Sequence, residues 1–131
     1  MLFHMFQSHK ARRDFGGSYF MEIQYCRLPQ GTKLKKIVSV EAISHWKNDS
    51  IYIFGDDIEV FYKHYGNIFT DGVYNNEERG PVDLCGINFY SREQSTLIID
   101  RINTKTPPDY QVLLNWLRSG EHYIGFYILG L

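Results

Sequence analysis

The chain has too few cysteines, set too far apart, for a disulfide framework or a thiolate metal site. Cys26 and Cys85 are the only two. Neither belongs to a Cys-x-x-Cys or Cys/His ligand pattern, so both read as reduced, buried thiols of a cytoplasmic protein. Long apolar runs are missing as well. Nothing approaches the roughly 18 uninterrupted apolar residues of a transmembrane helix, and the apolar stretch Tyr123–Leu131 is far shorter. No apolar run followed by a small-residue cleavage site opens the sequence, which argues against a secretory leader. Net charge is only −1, which counts against a general affinity for nucleic acid or acidic membranes. Gly66, Gly72, Gly80 and Gly86 are scattered rather than gathered into a phosphate-cradling loop. The strands expected at Ile51–Phe54 and Val82–Tyr90 have no nearby Lys or Arg, so the basic-aromatic interleaving of an RNA-binding sheet is absent.

What is present is a globular composition. The 131 residues are 44% hydrophobic and 22% charged, the balance of a single domain with a packed core. Aromatic residues reach 16%, mostly ten Tyr and nine Phe, which suits strands and half-exposed faces where a ring packs and a hydroxyl stays wet. Charge is polarised along the chain. Residues 56–83 hold seven acids against Lys63 and Arg79, whereas residues 1–55 hold eight bases against four acids.

Residues 1–20 look unlike the rest and read as an atypical N-terminal extension ahead of a single domain at 21–131. A start at Met21 would make the Gly16-Gly17 codons a purine-rich ribosome-binding site, a reading that GGA or GGG codons there would support. Met21–Leu28 alternates polar and apolar, as in a strand with one covered face. Leu34–Trp46 is ambiguous, and we expect extended chain to about Val38, then a helix over Val40–Lys47 with Ser39 as N-cap. Ile51–Phe54 is a short strand. Ile58, Phe61, Tyr62 and Tyr65 recur at helical spacing, with Asp56 or Asp57 expected to cap the start and Gly66 the end. Asp71-Gly72 suggests a two-residue hairpin between Asn67–Thr70 and Val73–Asn75. Val82–Tyr90 reads as a largely buried strand interrupted at Gly86. Ser91 and Gln94 have capping-box spacing, opening a helix whose buried side is Leu97, Ile98 and Ile102. Tyr110, Leu113, Leu114 and Leu117 give the clearest helical periodicity, closed by Gly120. Tyr123–Leu129, apolar on both faces, suits a central strand or one docked between chains. The sum is an α+β fold: about five strands, largely antiparallel, with three to four helices packed on them.

No catalytic or cofactor motif emerges. Cys85 lies beside Gly86 in an apolar stretch, without a partner to lower its pKa, and reads as inert core. Asp71, Asn75, Glu77, Glu78 and Asp83 supply oxygen ligands of the kind hard cations prefer. An EF-hand is excluded, because Val73 and Asn76 stand where a ligand and a glycine are needed, so no metal is expected. Asp56-Asp57 and Glu77-Glu78 are explained by capping and by an exposed loop, and nothing in the sequence perturbs them as an acid-base pair would require. His45, His64 and His122 fall at no common metal-binding spacing.

The remaining signal is the acidic, tyrosine-bearing region 56–83. Aromatic rings supply desolvated anchor area and acids steer encounter with Lys or Arg. The expectation is therefore a non-enzymatic binding domain, of the immunity-protein or inhibitor kind, that contacts a basic partner such as a nuclease toxin through Tyr62, Asp71, Tyr74, Glu77, Glu78 and Asp83. No cofactor is expected. The alternative is a small-ligand-binding protein or minor hydrolase with a pocket between sheet and helices, using His64, Asp83 or Asn88. Tyr123–Leu131 is a further candidate for a homo-oligomer contact.

Overall fold

A strand that is apolar on both faces needs cover on both sides, and the segment Gly125–Leu129 has it. The computed structural model describes residues 1–17 and 19–131. It is a single-sheet α+β fold of six strands, all paired antiparallel: β1 (Phe20–Tyr25), β2 (Ile51–Phe54), β3 (Gly72–Tyr74), β4 (Arg79–Gly80), β5 (Ile87–Ser91) and β6 (Gly125–Leu129). Their order across the sheet is β2-β1-β6-β5-β3-β4. The expected α+β class holds, with one strand more than anticipated because β4 is a two-residue edge piece. Being hydrogen-bonded on both sides and buried throughout, β6 is fully engaged within its own chain. No helix is long and apolar enough to cross a membrane among the described residues.

One face of the sheet is covered by α3 (Ile58–Tyr65), α4 (Arg92–Lys105) and α5 (Tyr110–Ser119). Met21, Ile23, Ile51, Ile53, Phe126 and Ile128 meet Phe61, Tyr65, Ile98, Ile102, Leu113 and Leu117 there in the main core. Burying a large apolar side chain of this kind contributes roughly 1.5–3 kcal/mol. The helical periodicities at Ile58–Tyr65 and Tyr110–Leu117 become α3 and α5. The capping box at Ser91 forms with both of its hydrogen bonds. Leu97, expected on the buried side of α4, is instead exposed, and Ile99 packs partly against the core in its place.

The other face is also covered, which overturns the expectation that β1 would have one solvated side. All six residues of β1 are buried, Glu22 and Gln24 included. Their cover is the segment 26–50, which carries a one-turn helix α2 (Leu34–Ile37) and a 3-10 turn at Val40–Ala42. The expected helix over Val40–Lys47 does not form, and the reason lies in where its backbone groups go. The Trp46 amide donates to the Glu22 carboxylate, the Ser44 carbonyl accepts from Gln24, and the Tyr52 hydroxyl serves both the amide and the carbonyl of Lys47. Strand side chains satisfy this segment, so a helical ladder is not needed. Ser39 caps nothing and donates to the Lys36 carbonyl instead.

Further local expectations are corrected. Asp57 makes no side-chain cap, because a 3-10 turn at Gly55–Asp57 runs straight into α3. Gly66 is the C-cap of α3, as expected, its amide donating to the Tyr62 carbonyl, but it keeps a helical φ of −57° instead of a left-handed one. The chain then winds off α3, with the amides of Ile68 and Phe69 both donating to the Tyr65 carbonyl. Both side chains enter the core, whereas consecutive residues of a strand point to opposite faces. Asp71-Gly72 thus leads into β3 and turns no hairpin. β5 likewise starts only at Ile87, after a turn through residues 83–86.

Residues 2–6 pack on the domain. Leu2 and Phe3 are buried, their amides donate to one carboxylate oxygen of Asp109, and His4 pairs antiparallel with Tyr52 along the outer edge of β2. The helix α1 (His9–Gly16) follows, has no buried residue of its own, and brings Phe15 against Phe20 and Phe54.

Candidate functional site

The hairpin that does form joins β3 to β4 through Asn75–Glu78. Its turn is held by the Glu77 amide on the Tyr74 carbonyl and the Tyr74 amide on the Glu78 carbonyl. Asn76 accepts from the Glu78 amide, and Asn75 ties the turn to the rest of the domain by donating to the Val38 carbonyl. Glu77 has φ of 69°, the left-handed region that a glutamate adopts at some cost. The consequence is a pinned turn that presents Glu77 and Glu78 to solvent. Neither carboxylate has an ion-pair or hydrogen-bond partner among the described residues.

The other four expected contact residues fall into two groups. Tyr62 is 45% exposed on α3. Tyr74 lies near it, over Gly80, with its hydroxyl donating to the Pro81 carbonyl. Desolvation, and then Asp83 and Tyr62, raise the Tyr74 phenol above its ordinary value. Asp83 is exposed, but it is occupied in its own turn, accepting the Cys85 amide at 2.9 Å. Asp71 stands apart, with its carboxylate 3.9 Å from Arg101. Of the four acids, then, only Glu77 and Glu78 carry charge with no structural use.

Two of the three residues expected to line a pocket, Asp83 and Asn88, have other work. Asn88 is fully buried and saturated: it accepts the Asp83 amide and donates to the carbonyls of Asp83, Gly86 and Ile128. His64 is half-buried on α3. Cys85, expected in the core, is exposed in the turn before β5, because the strand starts two residues later. Cys26 is the buried thiol, donating to the Tyr127 hydroxyl. Among the described residues no three His, Cys, Asp or Glu side chains converge to hold a metal ion.

The most organised side-chain cluster is formed by residues outside the expectations above. The rings of Tyr25 and Trp116 stack 3.9 Å apart and 2° from parallel, and Tyr123 stacks on Tyr25 at 4.8 Å. Gly120 permits this, since a Cβ there would collide with the Tyr25 ring. The stack is fixed by the Tyr25 hydroxyl on the Trp116 carbonyl and by the Trp116 indole N–H on the Asp49 carbonyl. Arg27 lies over Tyr123 at 5.5 Å and pairs with the Asp49 carboxylate. Burial, then the Asp49 charge, pushes the Tyr25 phenol well up. Burial acts to lower the Arg27 guanidinium, but Asp49 and Tyr123 together outweigh it and hold the group above its usual range. Beside the stack opens a cavity of about 300 Å³, whose wall includes Tyr25, Trp116, Phe126 and Ile99, with Arg92 and Glu121 also lining it. Its residues come from β1, α4, α5, β6 and the turn after α5, and no sequence spacing joins them. The only hint was the aromatic content.

Comparison with protein-family models, curated proteins and solved structures returned no match.

Proposed function

We propose that the protein is a non-enzymatic binding domain that docks its β3–β4 hairpin on a basic protein partner. The observation that carries this reading is the pair Glu77 and Glu78, exposed and unpartnered on a turn that Asn75 and Asn76 pin in place. A pre-ordered turn loses little conformational freedom on binding, and two free carboxylates accelerate encounter with a basic surface. Tyr62, with Tyr74 beside it, supplies aromatic contact area next to the charges. Asp71 and Asp83 contribute field rather than direct pairing, being engaged with Arg101 and with the 83–85 turn. The kind of partner follows by analogy of class: small, slightly acidic domains of this sort serve as immunity proteins or inhibitors of basic toxins such as nucleases. A second reading, small-ligand binding, is favoured by the cavity beside Trp116.

The test is affinity capture from the native cell with the wild-type chain and with a Glu77→Lys, Glu78→Lys double variant. The wild type is expected to retain a basic protein whose affinity falls with added salt. The double variant should bind at least about tenfold more weakly, two close charge pairs being lost. Equal affinity of the two proteins for that partner would rule out the hairpin as the contact.

A further inference from the structure

Arg92 is the first residue of α4, and Glu121 lies in the turn that follows α5. Each has the wrong sign for its position. A helix N-terminus favours negative charge and a C-terminus positive charge, so local folding disfavours both side chains where they stand. Glu93 and Arg118, close by, have the signs those helix ends prefer. Nor do Arg92 and Glu121 relieve one another. Both line the 300 Å³ cavity, yet among the described residues neither side chain enters an ion pair or a hydrogen bond.

Two opposite charges, both exposed and unpaired, on one cavity that Trp116, Phe126 and the stacked Tyr25 also line, describe a complementary ligand. It carries one anionic group, one cationic group and a flat apolar body. The volume lies at the small end of the roughly 300–1,000 Å³ typical of small-molecule sites. We propose that this cavity binds a free amino acid with an aromatic side chain, its carboxylate on Arg92, its ammonium on Glu121 and its ring against the Trp116 wall. The guanidinium fork matches a carboxylate in a way no neutral side chain here does. The hydroxyls of Ser95 and Thr96, which also line the cavity, are back-bonded to their own helix. They leave the charge recognition to the two ionised groups. This site is independent of the hairpin, and either could exist without the other.

Isothermal titration of the full chain with L-phenylalanine is expected to show saturable binding of one equivalent. Hydrocinnamate, which lacks the ammonium, and phenethylamine, which lacks the carboxylate, should each bind at least about tenfold more weakly. Arg92→Gln should reduce affinity for phenylalanine and hydrocinnamate but leave phenethylamine unchanged, and Glu121→Gln should do the converse. Thermal melts of both variants are expected to match or slightly exceed the wild type, because each removes a charge that opposes its helix end. The proposal is overturned if phenylalanine shows no saturable heat up to its solubility limit. It is equally overturned if hydrocinnamate or phenethylamine binds as tightly as phenylalanine, or if both variants keep wild-type affinity.

Discussion

Glu22 takes a carboxylate into the covered face of the sheet at 4% exposure and surrounds it with donors. The Trp46 amide serves one oxygen, and Gln24, Ser50 and the more distant Tyr52 hydroxyl serve the other. A buried charge is tolerable only when its acceptor sites are filled in this way. Glu22→Gln preserves shape but turns an NH2 group toward one of these donors. It is expected to lower the unfolding free energy by about 2–3 kcal/mol, the scale of a lost hydrogen bond to a charged group, read as a lower urea midpoint. An unchanged midpoint would mean that this carboxylate does not organise segment 44–50. Nothing in the sequence marked Glu22 as buried. A polar residue alternating with apolar ones reads as a solvated strand face, and three of its partners lie 24, 28 and 30 residues away. The same holds for Asn88, whose bond to the Ile128 carbonyl spans 40 residues.

Secondary-structure elements were legible wherever their cause is local. The repeat of Tyr110, Leu113, Leu114 and Leu117, the Ser91–Gln94 capping box and the β-branched run Ile51–Phe54 all become the elements their spacing implies. Segments 34–50 and 66–74 were misread because side chains from distant strands, or burial of Ile68 and Phe69, decide their course. The first residues are likewise held by contacts distant in sequence. Phe3 meets Phe61 and Tyr65 edge-on, with ring centroids 6.4 and 5.3 Å away, and is 1% exposed. Phe3→Ala is therefore expected to cost about 3–5 kcal/mol, as other large-to-small aromatic core changes do, measured by chemical denaturation. A chain begun at Met21 would forgo this contact, the Asp109 hydrogen bonds and the His4 pairing together. If that shortened chain melted at the wild-type temperature, the N-terminal segment would contribute nothing to the core.

At the scale of the molecule, the fold class could be read from interleaved strand and helix signals, but the strand order and the cavity could not, since both depend on which distant segments meet. One property of the whole follows from its tyrosines. Burial raises the phenols of Tyr25, Tyr52, Tyr65, Tyr90 and Tyr127 above their ordinary value. Folding therefore favours the neutral form, and unfolding releases protons once the unfolded phenol titrates near pH 10. The stabilisation is fully present below about pH 10 and is lost as pH rises through the folded values. Denaturation free energy should stay level on the alkaline side up to about pH 10 and then fall steeply, with tyrosinate absorbance from these five rings appearing together with loss of the fold. Their ionisation in a chain that keeps its near-ultraviolet circular dichroism would contradict this.

The strand order has a consequence for how the molecule is made. β1 and β6, among the earliest and latest elements in the chain, are neighbours in the middle of the sheet. As the polypeptide emerges during synthesis, β1 can find β2, and β5 can find β3, but no strand pairing joins the two halves of the sheet until β6 arrives. Such long-range closure slows folding. Until then the nascent chain holds two unfinished sheets, each with an open inner edge, and the last strand acts as the keystone that turns them into one.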